Sequence, residues 1–247
     1  MSDFRLEKLF KFDWQFGLAL ILFFGIPRFL IVLQANATGN YNFTSIIFLL
    51  MWITPFVLLT KQGRRTIGIK KPENYSWLLY SFFVGIILCV TVYSIGTWLY
   101  QSSIDNWFVY ISNSYGSIPS EALKGNDRST YFLIFAVIGM TFSPIGEELL
   151  YRGLINQTFV SKFGNNTASI IDSLAFAITH LAHFGFIYSL GNWSFHFIPA
   201  LIWMFLIFLT GRLFFYCKSK TGSIYGAIVS HAGFNLAMTY FIFYHIL

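Results

Sequence analysis

Three short stretches of this chain hold side chains that could activate water. Gly146-Glu147-Glu148-Leu149-Leu150-Tyr151-Arg152-Gly153 carries two adjacent acids and an arginine. Phe176-Ala177-Ile178-Thr179-His180-Leu181-Ala182-His183 offers two histidines, and Ser230-His231-Ala232-Gly233-Phe234-Asn235 an imidazole and an amide. Helical spacing assigns them parts. Glu148 and Arg152 are four residues apart, so they share a face and can pair. Glu147 is turned by about 100° from its neighbour, which leaves its carboxylate free to serve as a general base. His231 and Asn235 share a face in the same way, and so do Phe176 and His180.

Each stretch alone has a plainer explanation. A Glu–Arg pair at this spacing often only braces a helix, and a histidine or asparagine in a membrane helix can simply bond a neighbouring helix. Packing alone does not demand all of them in one chain. Together they describe a water-activating site with carboxylate, imidazole and amide from three helices. His183, three residues after His180, reads as a helix neighbour, and Asp172 and His196 as residues nearer the interfaces. Other chemistries lack their patterns. There is no H-E-x-x-H, no glycine begins a G-x-S, and no phosphate-binding glycine loop occurs.

The elements that must position these groups follow from composition. Of 247 residues, 56% are hydrophobic, 21% aromatic and only 11% charged, against about 25% charged in a soluble domain. No charge occurs between Arg28 and Lys61, between Glu73 and Asp105, between Asp172 and Arg212, or after Lys220. Each run exceeds the roughly 20 residues needed to cross a bilayer as a helix. The pattern predicts an all-α, polytopic transmembrane bundle of about seven or eight helices. The expected spans are 14–34, 44–60, 76–100, 129–151, 166–188, 195–216 and 222–245, with an interfacial helix around 104–123 that would hold Trp107, Phe108 and Tyr110 at the headgroups. The chain reads as a single integral membrane domain over 1–247, its N-terminal helices in 14–100 and its site-bearing helices in 129–245. Ser143-Pro144 predicts a helix restart within the fourth span. Gly222, Gly226 and Ser230 form a small-residue stripe on the last helix.

The net charge of +6 is no nucleic-acid footprint. Its basic residues cluster at span ends, in Arg5, Lys8 and Lys11, in the 61–71 loop, and at Lys218 and Lys220. That placement is topogenic and puts the N-terminus in the cytoplasm of a multi-pass cell-membrane protein. Ionisable groups inside such spans cost about 2.5–3.5 kcal/mol on insertion scales and are functional candidates by default.

On these motifs the chain resembles the CPBP intramembrane endopeptidases, also called the Abi or CAAX-protease family, which includes the type II prenyl-protein endopeptidases. The family pattern is E-E-x-x-x-R, F-x-x-x-H and H-x-x-x-N/D, matched here in order by Glu147-Glu148 to Arg152, Phe176 to His180, and His231 to Asn235. The resemblance implies a cavity open to the cytoplasm and a peptide or membrane-associated protein as substrate. Glu147 with His180 would activate water, His231 and Asn235 would stabilise the oxyanion, and Glu148, Arg152 and Phe176 would support the geometry. Glu147, His180 and His231 could ligate zinc with one position left open, or work without a metal; the sequence leaves both open. The family also covers non-catalytic membrane proteins of bacteriocin self-immunity or sensor-kinase regulation.

Overall fold

The computed structural model describes residues 3–7, 9–41, 43–125 and 127–247; Lys8 lies outside them. In hydrocarbon no water satisfies the backbone, so the apolar runs close their hydrogen bonds internally as helices. Helix α1 (Trp14–Thr38) starts where Asp13 accepts from the N–H groups of Gln15 and Phe16 at 3.0 and 3.3 Å, and stops at left-handed Gly39. It is followed by α2 (Thr44–Leu58), the short basic α3 (Lys61–Thr66) and α4 (Ser76–Tyr100). Two short helices, α5 (Trp107–Ser112) and α6 (Ser120–Lys124), lead to α7 (Arg128–Glu148). A wide π-helical turn, Leu149–Ile155, joins α7 to α8 (Asn156–Thr179). A hairpin of β1 (Phe186–Ser189) and β2 (Asn192–Phe195) precedes α9 (Phe197–Thr221) and α10 (Ile224–Phe241).

Five segments are long and apolar enough to cross a membrane: α1, α4, the run Arg128–Ala182, α9 and the run Ile224–Ile246; α2 is apolar but shorter. The chain is therefore a helical membrane protein, and these five segments do not confirm the expected count of seven or eight. The expected 44–60 span is the shorter α2, and the expected spans 129–151 and 166–188 lie in one run of 55 residues. A straight helix of that length would reach about 80 Å, far beyond a bilayer core of about 30 Å. The run breaks at Gly164, whose φ of 74° and ψ of 165° turn the chain where a side chain would be strained.

The expected restart at Ser143-Pro144 does not occur: α7 runs from Arg128 to Glu148 with Pro144 inside it, held between neighbouring helices. Trp52 of α2 donates to the Phe142 carbonyl at 2.8 Å, and Asn235 of α10 donates to the Gly139 carbonyl at 2.9 Å. The 104–123 segment also differs from expectation. Trp107, Phe108 and Tyr110 are buried, and Trp107 packs on Trp203 of α9 with ring centroids 5.9 Å apart while its indole donates to the Val92 carbonyl. The segment dips into the bundle. The hairpin was expected as helix end and loop. Its turn, Leu190-Gly191, has φ of 49° and 81° at the two central residues, the geometry that matches strand twist in a two-residue loop.

The expected small-residue stripe is divided between two helices. Gly222 is the left-handed cap of α9, Gly226 faces the Cys217 carbonyl of α9, and the Ser230 carbonyl faces Gly85 of α4. A Cβ at Gly85 would overlap that carbonyl oxygen and lie 2.8 Å from the Phe234 nitrogen. Backbone cannot yield as a side chain can. Gly85→Ala is expected to destabilise the detergent-solubilised protein by about 1–3 kcal/mol, the usual range for overpacking. An unchanged unfolding curve would show that α4 and α10 separate freely.

The basic groups gather at one end. The Arg5 N–H donates to the Leu58 carbonyl, those of Glu73 and Ile224 to the Thr221 and Gly68 carbonyls, and the Lys162 ammonium lies 4.1 Å from the Trp14 ring centroid. Hence the N-terminal segment, the 61–71 loop, Lys162, Lys218 and Lys220 share that end of the bundle.

Candidate active site

The site is assembled from α1, the α7–π junction, α8 and α10. Glu147 and Glu148 end α7 immediately before the π-helical turn, a distortion frequently found at functional sites. Both are buried, at 1% and 0% exposure, and they diverge as the spacing requires. Glu148 turns away from the cavity toward Arg152, whose Nη1 donates to its Oε1 at 3.1 Å. The Arg152 Nε reaches Asp172 Oδ1 at 3.5 Å, and its guanidinium lies 4.2 Å from the Phe176 ring centroid. Asp172, expected near an interface, is fully buried and accepts from Asn156 at 2.7 Å.

Glu147 points the other way, into a cavity of about 240 Å³. Phe176, His180, His183, His231 and Asn235 line the same cavity, so the three motifs do converge. Ile111, Ser114 and Tyr115 of the inward-dipping segment wall it at the end away from the basic clusters. His183 belongs to it as well, its ring 5.4 Å from that of His180. His196, by contrast, does not line it and pairs with Asp105 at 2.5 Å and Ser194 at 2.9 Å.

Hydrogen bonds define what each imidazole can do. His180 Nδ1 lies 2.7 Å from the Phe176 carbonyl oxygen, an atom that can only accept. Nδ1 therefore carries the proton, and in the neutral ring Nε2 is left as an acceptor. His231 Nδ1 donates to Glu148 Oε1 at 2.9 Å, its Nε2 stands 3.6 Å from Glu147 Oε2, and Phe214 stacks on its ring at 4.8 Å. The Asn235 amide nitrogen donates to the Gly139 carbonyl and, at 3.1 Å, to Ser143 Oγ.

Arg28 of α1 completes the group, and the sequence reading missed it. It is 2% exposed in the middle of an apolar helix. Its Nη2 pairs with Glu147 Oε1 and lies 3.5 Å from His180 Nε2, while Nη1 donates to Thr179 at 3.0 Å. The available signal was a charge within an apolar span, which the reading treated as the edge of a charge-free run. This guanidinium also bears on a metal. One of its nitrogens contacts both Glu147 and His180, and among the described residues no three of His, Cys, Asp or Glu are placed to hold an ion.

Fold and site together define a polytopic membrane protein with carboxylate and imidazole groups around an internal cavity. Residues 129–237 match the family described as type II CAAX prenyl endopeptidase Rce1-like. The match covers the segment that carries the site and agrees with the resemblance read from its motifs. All three motifs fall within the match, while Arg28 and the rest of the first 128 residues lie outside it. No curated protein matches the chain, and no solved structure does.

Proposed function

We propose that the protein is an intramembrane endopeptidase in which Glu147 and His180 activate a water molecule without a metal. The observation that supports this reading most is the His180 ring, held by the Phe176 carbonyl so that Nε2 faces Glu147's surroundings as a proton acceptor. A water beside Glu147 gives its proton to Nε2 and attacks the peptide carbonyl carbon. The tetrahedral intermediate collapses as the leaving amine takes the proton back, releasing acid and amine. His231, tied to Glu148 and stacked on Phe214, fixes the carboxylate side of the cavity. Arg152 holds Glu148 in turn. The substrate is a peptide or membrane-associated protein, with a CAAX tail as the first candidate. The basic end of the bundle faces the cytoplasm.

The test is cleavage by full-length protein in proteoliposomes of a fluorogenic peptide with a prenylated CAAX tail, beside the same peptide without the lipid. Turnover of either, abolished in the Glu147→Ala, His180→Ala double variant, is the expected result. Absence of cleavage by the wild type overturns the reading. Turnover is further expected to persist through prolonged chelation, with purified protein holding far less than one zinc per chain. Stoichiometric zinc whose removal stops cleavage would refute the metal-free route.

A further inference from the structure

Outside the cavity, an aspartate, a histidine and a serine are joined in one chain of hydrogen bonds. His196 Nδ1 lies 2.5 Å from Asp105 Oδ1, and its Nε2 lies 2.9 Å from Ser194 Oγ. A carboxylate only accepts, so Nδ1 carries the proton and, in the neutral ring, Nε2 is the acceptor. The Ser194 hydroxyl therefore donates to Nε2. This is the pattern of an activated nucleophile, a hydroxyl on a base that a third group orients. Geometry and roles define such a triad, not chain order.

Each member sits on a firm part of the fold. Ser194 lies on β2 opposite Ile187 of β1, so the two side chains share a face of the hairpin. Ile187 is buried, which turns that face toward the bundle. The His196 N–H donates to the Gly185 carbonyl, and its own carbonyl accepts from Ala200, at 2.9 Å each. Asp105 precedes Asn106, which caps α5 and donates to the Gln101 carbonyl at 2.6 Å. The Tyr188 N–H donates to the Tyr110 hydroxyl at 3.0 Å and pins the hairpin to α5.

Position narrows the substrate. Helix α9 begins after His196 and carries Lys218 and Lys220 in its last turn, so the triad lies at the end of the bundle away from the basic groups. Leu190, Trp193, Phe195 and Phe197 are exposed around it. Such apolar and aromatic surface belongs at a headgroup layer, where the ester carbonyls of membrane lipids lie. Ser194 is exposed and the His196 side chain is 25% exposed, so an ester can reach both.

We propose that Asp105, His196 and Ser194 form a second hydrolytic centre, in which Ser194 attacks fatty-acyl esters at the membrane surface opposite the basic end. It does not depend on peptide hydrolysis at Glu147. Ser194 Oγ bonds to the ester carbonyl carbon as its proton passes to His196 Nε2, and the C=O π pair moves onto oxygen. The pair returns as the C–O bond breaks, and the leaving alcohol takes the proton from His196. Water then attacks the acyl-serine by the same route, releasing fatty acid and restoring the hydroxyl. Asp105 holds the ring tautomer and stabilises the imidazolium.

Full-length protein in nanodiscs of ether-linked lipid, open to reagent from both faces, provides the test. An alkyl fluorophosphonate, whose fluoride an activated serine displaces, reports the nucleophile; methylumbelliferyl oleate reports ester cleavage. Wild type is expected to take up one phosphonyl group, mapped to Ser194 by mass spectrometry, and to release fluorophore. Ser194→Ala should abolish both. His196→Gln is expected to slow both by about 10² or more, the contribution of a general base. Asp105→Asn keeps the volume but not the control of the tautomer, and should lose at least roughly tenfold. Labelling of the unaltered protein keeps the result independent of how the variants fold. The proposal is overturned if wild type acquires no adduct at Ser194, if His196→Gln and Asp105→Asn react as fast as wild type, or if Ser194→Ala cleaves the oleate ester equally well. Any of these would mean that the three groups only fasten the hairpin to the α4–α5 connection.

Discussion

Glu147→Gln is expected to lower kcat by about 10²–10⁴, the usual contribution of a general acid–base group, with little change in how much folded protein is recovered. The carboxylate is 1% exposed and lines the cavity beside His180 and His231. Glutamine keeps its volume and a carbonyl oxygen for the Arg28 guanidinium, so the α1–α7 contact survives the change. What disappears is the anion that orients and polarises water next to His180 Nε2. The neighbouring acid provides the control. Glu148 does not line the cavity and is engaged by Arg152 and His231, so Glu148→Gln should act more on stability than on the chemical step. Single-turnover cleavage in proteoliposomes separates the two, because it excludes product release. Undiminished turnover in Glu147→Gln would remove the carboxylate's role in orienting and polarising the water, and equal losses in both variants would mean that the pair acts as one structural unit.

Much of this site was legible in spacing. A four-residue interval on a helix fixes a shared face whatever surrounds it, so the Glu148–Arg152 pair and the divergence of Glu147 could be read before any packing was known. The convergence of three helices could only be argued from the improbability of so many polar groups in apolar spans. Arg28 was hidden because a lone charge at the edge of an apolar run resembles a topogenic residue; its burial depends on a tertiary contact with α7 and α8. The partners of Asn235 were hidden for a similar reason. Its partners, Gly139 and Ser143, are about 90 residues away in the chain, and no local pattern links them.

The fold shows the same division. Charge-free length identified the helices, but not their ends. Pro144 looked like a break and lies inside an unbroken α7, whereas Gly164 looked ordinary and turns the chain. Whether a proline interrupts a membrane helix depends on the helices packed around it, and that is a property of the assembled bundle. The buried position of Trp107 follows from a partner too, Trp203, which hydropathy cannot supply.

Arg152→Leu should be the most destabilising single change in the bundle, by about 3–5 kcal/mol, as expected when one partner of a buried ion pair is removed. Arg152 is fully buried between two carboxylates, Glu148 at 3.1 Å and Asp172 at 3.5 Å. It also lies over the Phe176 ring, and Gly211 of α9 leaves room for the guanidinium where any Cβ would collide with it. Leucine fills part of the volume but leaves two acids without their cation, in a site already walled from water. His231 still donates to Glu148, and Asn156 and Ser173 to Asp172, so those acids retain hydrogen bonds but lose most of the charge compensation. Thermal unfolding in detergent, followed by loss of the monodisperse peak, should show a large drop for Arg152→Leu. The triple change with Glu148→Gln and Asp172→Asn should recover a good part of that loss, because it removes the stranded charges along with the cation. Recovery separates electrostatics from packing. If the triple variant is no more stable than Arg152→Leu, the aromatic and glycine contacts hold this corner of the bundle, and the charges serve only to aim Glu148 and, through it, His231.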